Sequence, residues 1–128
     1  SLHVRTVRGG YRSKPNHEYA RRAARRLPCP VLVNGDVSSV NRAVQLVQET
    51  GARGVMIGRA AIRNPWIFRQ LRQHQAGEPA FKPSLGDVYH YVEDLYQAMS
   101  NPSISERKQV ARMKKFLNFD LLLMKYLI

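Results

Sequence analysis

Two short apolar segments separated by one amphipathic helix place the strongest constraint on how this chain can fold. Residues 31–33 (Val-Leu-Val) form the first segment, and residues 54–58 (Gly-Val-Met-Ile-Gly) form the second. Apolar residues at helical spacing predict a helix between them, from a cap at Ser38 or Ser39 to about Thr50. Because a helix crosses between consecutive strands, the strands must run parallel, and their lack of alternation predicts burial on both faces.

The same strand–helix pattern extends to both sides of this unit. A strand is predicted over residues 2–6, and a helix capped by Asn16 follows it to about residue 26. A further helix is predicted from about residue 65 to residue 75. Three strands with two complete crossovers cannot by themselves close a barrel or complete a doubly wound sheet.

The pattern changes at residues 77–79 (Gly-Glu-Pro), after which only helices are predicted. Residues 84–87 and 103–106 both match the capping box that opens a helix. We therefore predict an α/β domain over residues 1–75 and a small helical domain over residues 76–128.

A strong excess of positive charge favours a polyanionic partner, most often nucleic acid. The chain has 21 Lys and Arg against 9 Asp and Glu, which gives a net charge of +12 and a pI of about 10.6. Lys108, Arg112 and Lys115 recur at helical spacing, so they are the candidate RNA-binding residues. We interpret the four arginines within residues 21–26 as a solvated outer face.

Several classes of site and location are disfavoured by composition. The single cysteine, Cys29, cannot form an internal disulfide or supply a multi-cysteine zinc site, and the histidines share no ligand spacing, so no metal is predicted. No apolar run approaches the roughly 18 residues of a membrane span, so a cytoplasmic protein is predicted. A start at Ser1 and an apolar last segment, residues 121–128, indicate a piece of a longer protein.

Two glycine-bearing strand ends carry the candidate chemistry. One is Asn34-Gly35-Asp36, and the other is Gly58-Arg59. In a βα barrel the loops after the strands build the active site, and those after the last two strands often hold a phosphate. Glycine lets backbone N–H groups approach phosphate oxygens, and an arginine adds a bidentate charge. We therefore predict a phosphate site at these turns. His3 is expected at the same edge, either as a donor to a bound cofactor or anion or as a structural histidine.

Three segments resemble the tRNA-dihydrouridine synthases: residues 31–37 (Val-Leu-Val-Asn-Gly-Asp-Val), 50–61 (Thr-Gly-Ala-Arg-Gly-Val-Met-Ile-Gly-Arg-Ala-Ala) and 64–68 (Asn-Pro-Trp-Ile-Phe). The segment His3-Val-Arg-Thr6, with Tyr11 following, resembles the H-x-R-T segment of that family. Many phosphate-binding barrels share the middle segment. The Asn-Pro-Trp-Ile-Phe segment narrows the resemblance to the tRNA-dihydrouridine synthases. Residues 112–119 loosely resemble the basic stretch of the family's helical part.

The resemblance implies the C-terminal portion of an FMN-dependent (βα)8 TIM barrel followed by a helical tRNA-binding domain. The implied reaction reduces uridine in tRNA to 5,6-dihydrouridine, with NADPH regenerating the flavin. By motif, the implied FMN contacts are His3, Asn34, Gly35, Asp36, Gly58 and Arg59. The family's catalytic cysteine lies outside this chain, and Cys29 does not replace it. We therefore expect the isolated chain neither to turn over nor to bind FMN tightly.

Two other functions stay open at the level of sequence. One is a different FMN- or phosphate-binding TIM-barrel oxidoreductase that acts on a small molecule. The other is a non-enzymatic RNA-binding fragment in which the basic helix is the working part. RNA binding by the intact protein, and its dependence on salt, distinguishes these alternatives.

Overall fold

The computed structural model describes residues 1–5, 8 and 13–118, with side chains through residue 114. The chain divides into two compact units, Ser1–Ala61 and Ile62–Ile128. The first unit holds the strands, and the second is helical in its described part. Among the described residues, no helix combines the length and apolarity that a membrane span requires.

One parallel sheet organises the first unit. Its strands are β1 (Leu2–His3), β2 (Leu32–Asn34) and β3 (Gly54–Met56), in the order β1-β2-β3. His3 pairs with Asn34, which in turn pairs with Met56, so all three strands end at one edge of the sheet. The predicted parallel pairing is confirmed. The strands are shorter than predicted, because β1 ends at His3 and β3 ends at Met56.

Two helices form the crossovers between the strands. Helix α1 (Glu18–Arg26) joins β1 to β2, and helix α2 (Val40–Thr50) joins β2 to β3. Of the two candidate caps for α2, Ser39 is the one used, because its side chain accepts the N–H of Arg42. The helix ends at Gly51, whose φ of 69° is left-handed and therefore favours glycine.

The sheet buries one face and leaves the other open. Val33 is fully buried, and Ala20, Ala43 and Leu46 of the two crossover helices are buried with it. Leu32, adjacent in the strand, is 40% exposed. The predicted burial of β2 on both faces is therefore wrong, because neighbouring strand residues point to opposite faces and only one face is covered. The register places these residues on the open face: His3, Leu32, Asn34, Gly54 and Met56.

Helix α3 (Arg59–Arg63) begins directly after the β3 turn and spans the division between the units. Three longer helices follow: α4 (Ile67–Ala76), α5 (Leu85–Met99) and α6 (Glu106–Asn118). Helix α6 opens at Glu106, so the predicted capping box over residues 103–106 does not form. The N–H of Ser103 instead donates to the side chain of Asn101.

The division between the units precedes the predicted domain boundary, which lies after residue 75. Helix α4 belongs to the second unit because residues at its start and within it contact the segment after α4 and helix α5. The ring of Trp66 lies 6.0 Å from the rings of both Phe81 and Tyr91. Gln70, which is 7% exposed, donates to the carbonyl of Phe81 and accepts from Asn64.

The capping box at the start of α5 lowers the pKa of a carboxyl group. Asp87 accepts hydrogen bonds from the hydroxyl and the backbone N–H of Ser84, and the Ser84 hydroxyl accepts the N–H of Asp87. The hydroxyl bond, followed by the backbone bond, holds the pKa of Asp87 below its ordinary value of 3.8. The ionised carboxylate therefore stabilises the first turn of α5 at pH values above 3.8. This stabilisation is lost as the pH falls through the lowered pKa.

We predict that Asp87→Ala loosens the first turn of α5 at pH 7 but not at acidic pH. The measurement is the hydrogen-exchange protection factor of the α5 amides in wild type and variant. The difference should shrink as the pH is lowered from 7 through the lowered pKa of Asp87, because protonation removes the wild-type advantage. Asp94→Ala, in the middle of the same helix, serves as the control. A difference that is constant across this range would contradict the prediction.

Candidate functional site

The carboxyl ends of the three strands bring the predicted phosphate-site residues to one edge of the sheet. His3 and Asn34 are register partners on adjacent strands, whose backbones lie about 4.8 Å apart in such a sheet. Gly35 and Asp36 follow β2 directly, and Gly58 lies two residues beyond β3. All six predicted residues, including Arg59, therefore lie within or just beyond the ends of adjacent strands in the first unit.

His3 and Asn34 present polar side chains on the open face. The N–H of Arg5 donates to Nδ1 of His3 at 3.3 Å. With Nδ1 accepting, the neutral ring carries its proton on Nε2, so the exposed imidazole is a hydrogen-bond donor. The backbone carbonyl of Asn34 accepts a hydrogen bond from the N–H of Val4 at 3.2 Å. The amide side chain of Asn34 is half-buried and lies on the open face.

Gly35 is required by close packing. Its φ is +135°, and a Cβ there would lie 2.7 Å from Cγ2 of Val4. Its carbonyl lies 3.2 Å from Nε2 of His17, within hydrogen-bond distance. The glycine therefore lets the β2 turn press against the segment that follows β1. This packing explains the residue type without a ligand.

Asp36 is held by an ion pair with Arg5. Nη2 of Arg5 donates to Oδ1 of Asp36 at 2.6 Å, and Nε of Arg5 donates to the carbonyl of Ser13 at 2.9 Å. The Arg5 side chain is only 8% exposed, whereas that of Asp36 is 45% exposed. Asp36 has a φ of 52°, a left-handed conformation that aspartate tolerates better than most residues. Its carboxylate therefore orients the turn, while Ser39 caps α2.

Gly58 and Arg59 form the more accessible end of the site. Both residues are exposed, and nothing lies within 4 Å of a Cβ built at Gly58. The Gly58 carbonyl accepts the N–H of Ala61, so the turn is anchored while the glycine remains open to solvent. Arg59 is the first residue of α3.

Comparison with known proteins identifies the family of this chain. The sequence model described as "Dihydrouridine synthase (Dus)" matches residues 1–119. The chain belongs to the dihydrouridine synthase family.

Named relatives agree with this membership. The chain is 30% identical over 89% of its length to a "Probable tRNA-dihydrouridine synthase" of Aquifex aeolicus, of which it covers 34%. It is 39% identical over 69% of its length to "tRNA-dihydrouridine synthase B" of Xanthomonas axonopodis pv. citri, of which it covers 27%. It is also 26% identical over 91% of its length to a "tRNA-dihydrouridine(16) synthase" of Neisseria meningitidis, of which it covers 35%. The chain thus spans about a third of the length of these curated relatives.

Two side chains at the candidate site carry no local sequence signal that predicts their contacts. Arg5 pairs with Asp36, and His17 contacts the Gly35 carbonyl. Arg5 lies inside the segment His3-Val-Arg-Thr6, which resembles the family, and this position is the sequence signal that could have identified it. Their partners lie 31 and 18 residues away, and no local pattern reveals such pairings.

The predicted RNA-binding row lies on α6 in the second unit. Lys108 and Arg112 are exposed and one helical turn apart, so both can face one partner. The side chain of Lys115 lies outside the described residues. Arg107 and Lys114 are also exposed on α6, and sequence spacing had not singled them out.

The residues considered for other chemistry lie elsewhere. Cys29 is exposed and precedes β2, at the opposite edge of the sheet from the candidate site. Within the described part of the chain, no group of three or more His, Cys, Asp and Glu side chains is placed to hold a metal ion.

We predict that the Arg5–Asp36 pair couples the two loops energetically. A double-mutant cycle of Arg5→Met and Asp36→Asn should give a coupling of about 1 kcal/mol in the free energy of unfolding, because the guanidinium is nearly buried. Urea denaturation followed by circular dichroism measures it.

The matched control for this cycle is the more exposed pair of Arg42 and Glu49, which lie 3.2 Å apart on α2. Its coupling should not exceed about 0.5 kcal/mol. Equal couplings in the two cycles would show that the Arg5–Asp36 pair does not hold the loops together.

Proposed function

We propose that this chain is the cofactor-phosphate and RNA-binding portion of a flavin-dependent tRNA-dihydrouridine synthase. Residues 1–75 would form the last βα units of an FMN-binding TIM barrel, and residues 76–128 a helical tRNA-binding domain. The supporting observation is the common edge, at which His3, Asn34 and the Gly58 turn lie at the ends of three adjacent parallel strands. The names of the relatives, which specify tRNA, support the substrate, and a tRNA substrate favours a cytoplasmic location.

The residues at this edge fit a flavin mononucleotide. The exposed glycine at residue 58 allows phosphate oxygens to approach the backbone, and the Arg59 guanidinium supplies charge. Nε2 of His3 and the amide of Asn34 are donors suited to the polar parts of the cofactor. Because the Asp36 carboxylate is paired with Arg5, the contribution of Gly35 and Asp36 would come from their backbone.

The chemistry is divided between the cofactor and the protein. When bound and reduced, FMN would supply the hydride for the uracil ring, and NADPH would be the reductant that returns the flavin to its reduced state. The residues of this chain would bind and orient: the Arg5–Asp36 pair holds the turn after β2, and His3 and Asn34 would provide hydrogen-bond donors. No residue of this chain is assigned to proton transfer.

The test of the proposed function is a chimaera in which this chain replaces the matched segment of the Aquifex aeolicus relative. We expect the purified chimaera to retain FMN and to form dihydrouridine in unmodified tRNA with NADPH, measured by nucleoside mass spectrometry. A chimaera that retains FMN without modifying tRNA, beside an active parent, would favour the small-molecule oxidoreductase instead. A chimaera that binds tRNA but no FMN would favour the RNA-binding fragment.

We predict that Gly58→Ala in this chimaera weakens FMN binding by about tenfold or more without lowering thermal stability. The new methyl group meets no protein atom within 4 Å but occupies the space through which phosphate reaches the backbone. Flavin fluorescence titration measures the affinity.

Two other glycines are the controls for this prediction. Gly86→Ala, in α5, should leave FMN affinity unchanged and should not lower stability, because the nearest atom to its Cβ is 3.6 Å away and alanine favours the helix. Gly35→Ala should lower stability because of the close Val4 contact. Unchanged FMN affinity in Gly58→Ala would remove that glycine from the phosphate site.

We also predict that α6 contacts tRNA through Lys108 and Arg112. Loss of two phosphate contacts in Lys108→Gln/Arg112→Gln should reduce the slope of log affinity against log salt by about 1.4–1.8. Fluorescence anisotropy with labelled tRNA measures the slope for the full chain. Arg72→Gln/Lys82→Gln removes the same charge from exposed positions outside α6 and should leave the slope nearly unchanged. Equal effects of the two variants would mean that only net charge matters.

A further inference from the structure

Most of the net positive charge lies in the first unit, whereas α6 belongs to the second. Residues 1–61 contain eleven Lys and Arg but only three Asp and Glu, a net charge of +8 out of the total of +12. Each of the three carboxylates is already paired with an arginine: Glu18 with Arg21, Asp36 with Arg5 and Glu49 with Arg42. These three ion pairs engage every acidic side chain of the unit and leave most of its positive charge in place.

The outer face of α1 concentrates this excess. Arg22, Arg25 and Arg26 are exposed, and within the described residues no carboxylate lies within 4 Å of them. Arg22 and Arg26 lie one turn apart, about 5–6 Å between their Cβ atoms. Tyr19 precedes Arg22 by three residues and is 48% exposed. We call Tyr19, Arg22, Arg25 and Arg26 the α1 arginine face.

The opposite side of α1 decides between an RNA and a membrane partner. A helix that lies on a bilayer needs a free apolar face opposite its basic one. In α1 that side is alanine-rich and covered: Ala20 is fully buried, and Ala23 and Ala24 are half-buried. Guanidinium groups bind phosphate bidentately, and an exposed tyrosine ring offers a stacking surface for a base. The available chemistry therefore suits a nucleic-acid backbone.

We propose that the α1 arginine face is a second tRNA contact surface, separate from α6. This proposal rests on the proposed function, since the RNA is the substrate of that function. It replaces the interpretation of these arginines as a solvated face. The acids of the unit neutralise Arg5, Arg21 and Arg42 and leave Arg22, Arg25 and Arg26 available to phosphate.

The test compares the full chain with Arg22→Gln/Arg26→Gln in salt titrations of tRNA binding. Loss of two phosphate contacts should lower the slope of log affinity against log salt by about 1.4–1.8 and weaken binding about tenfold or more near 0.1 M salt. Arg22→Lys/Arg26→Lys should keep most of the slope, because it retains the charge. Circular dichroism establishes that each variant is folded, and Arg72→Gln/Lys82→Gln is the charge-matched control.

The outcomes separate this proposal from the function on which it rests. If the wild-type chain binds tRNA and Arg22→Gln/Arg26→Gln behaves like the control, the α1 arginine face is not a contact, while the proposed function stands. If the wild-type chain does not bind tRNA, both proposals fail. If vesicles with anionic lipid bind wild type but not Arg22→Gln/Arg26→Gln, and the tRNA slopes are equal, the face is a membrane contact instead.

Discussion

The pairing of β2 with a parallel strand on each side is the constraint on which the first unit depends. Parallel neighbours cannot be joined by a tight turn, so a helix must cross between each pair, and the strands then end at one edge. That edge brings together His3, Asn34 and the β3 turn, which are widely separated along the chain. The closeness of the polar groups in the candidate site follows from this strand pairing.

Two kinds of contact complete the edge. Gly35 allows the β2 turn to pack against Val4, and the nearly buried Arg5 guanidinium ties Asp36 to the loop after β1. Both contacts give a structural reason for residues in the segments that resemble the family, namely Gly35, Arg5 and Asp36. The side chains of His3, Asn34 and Arg59 are exposed or half-buried, so they are the ones that can reach a cofactor. The family segment thus combines residues that build the turn with residues that can bind.

Much of this could be predicted from the sequence because it depends on local chemistry. The parallel strand pair, the glycine stop of α2 and the capping box of α5 each follow from residue types within a few positions of one another. Residue types alone did not predict three other features: the choice of Ser39 over Ser38, the late start of α6 and the exposure of Leu32. Each of these depends on which backbone groups and which sheet face the rest of the chain covers.

The sequence by itself determined the βα order, the basic charge and the family segments, since these are properties of residue type and spacing. Only the tertiary structure decided that Arg5 neutralises Asp36, 31 residues away, and that Arg22, Arg25 and Arg26 are left exposed. The reason is geometric. Which charges meet depends on distances across the fold, and a sequence specifies those distances only through its folded form.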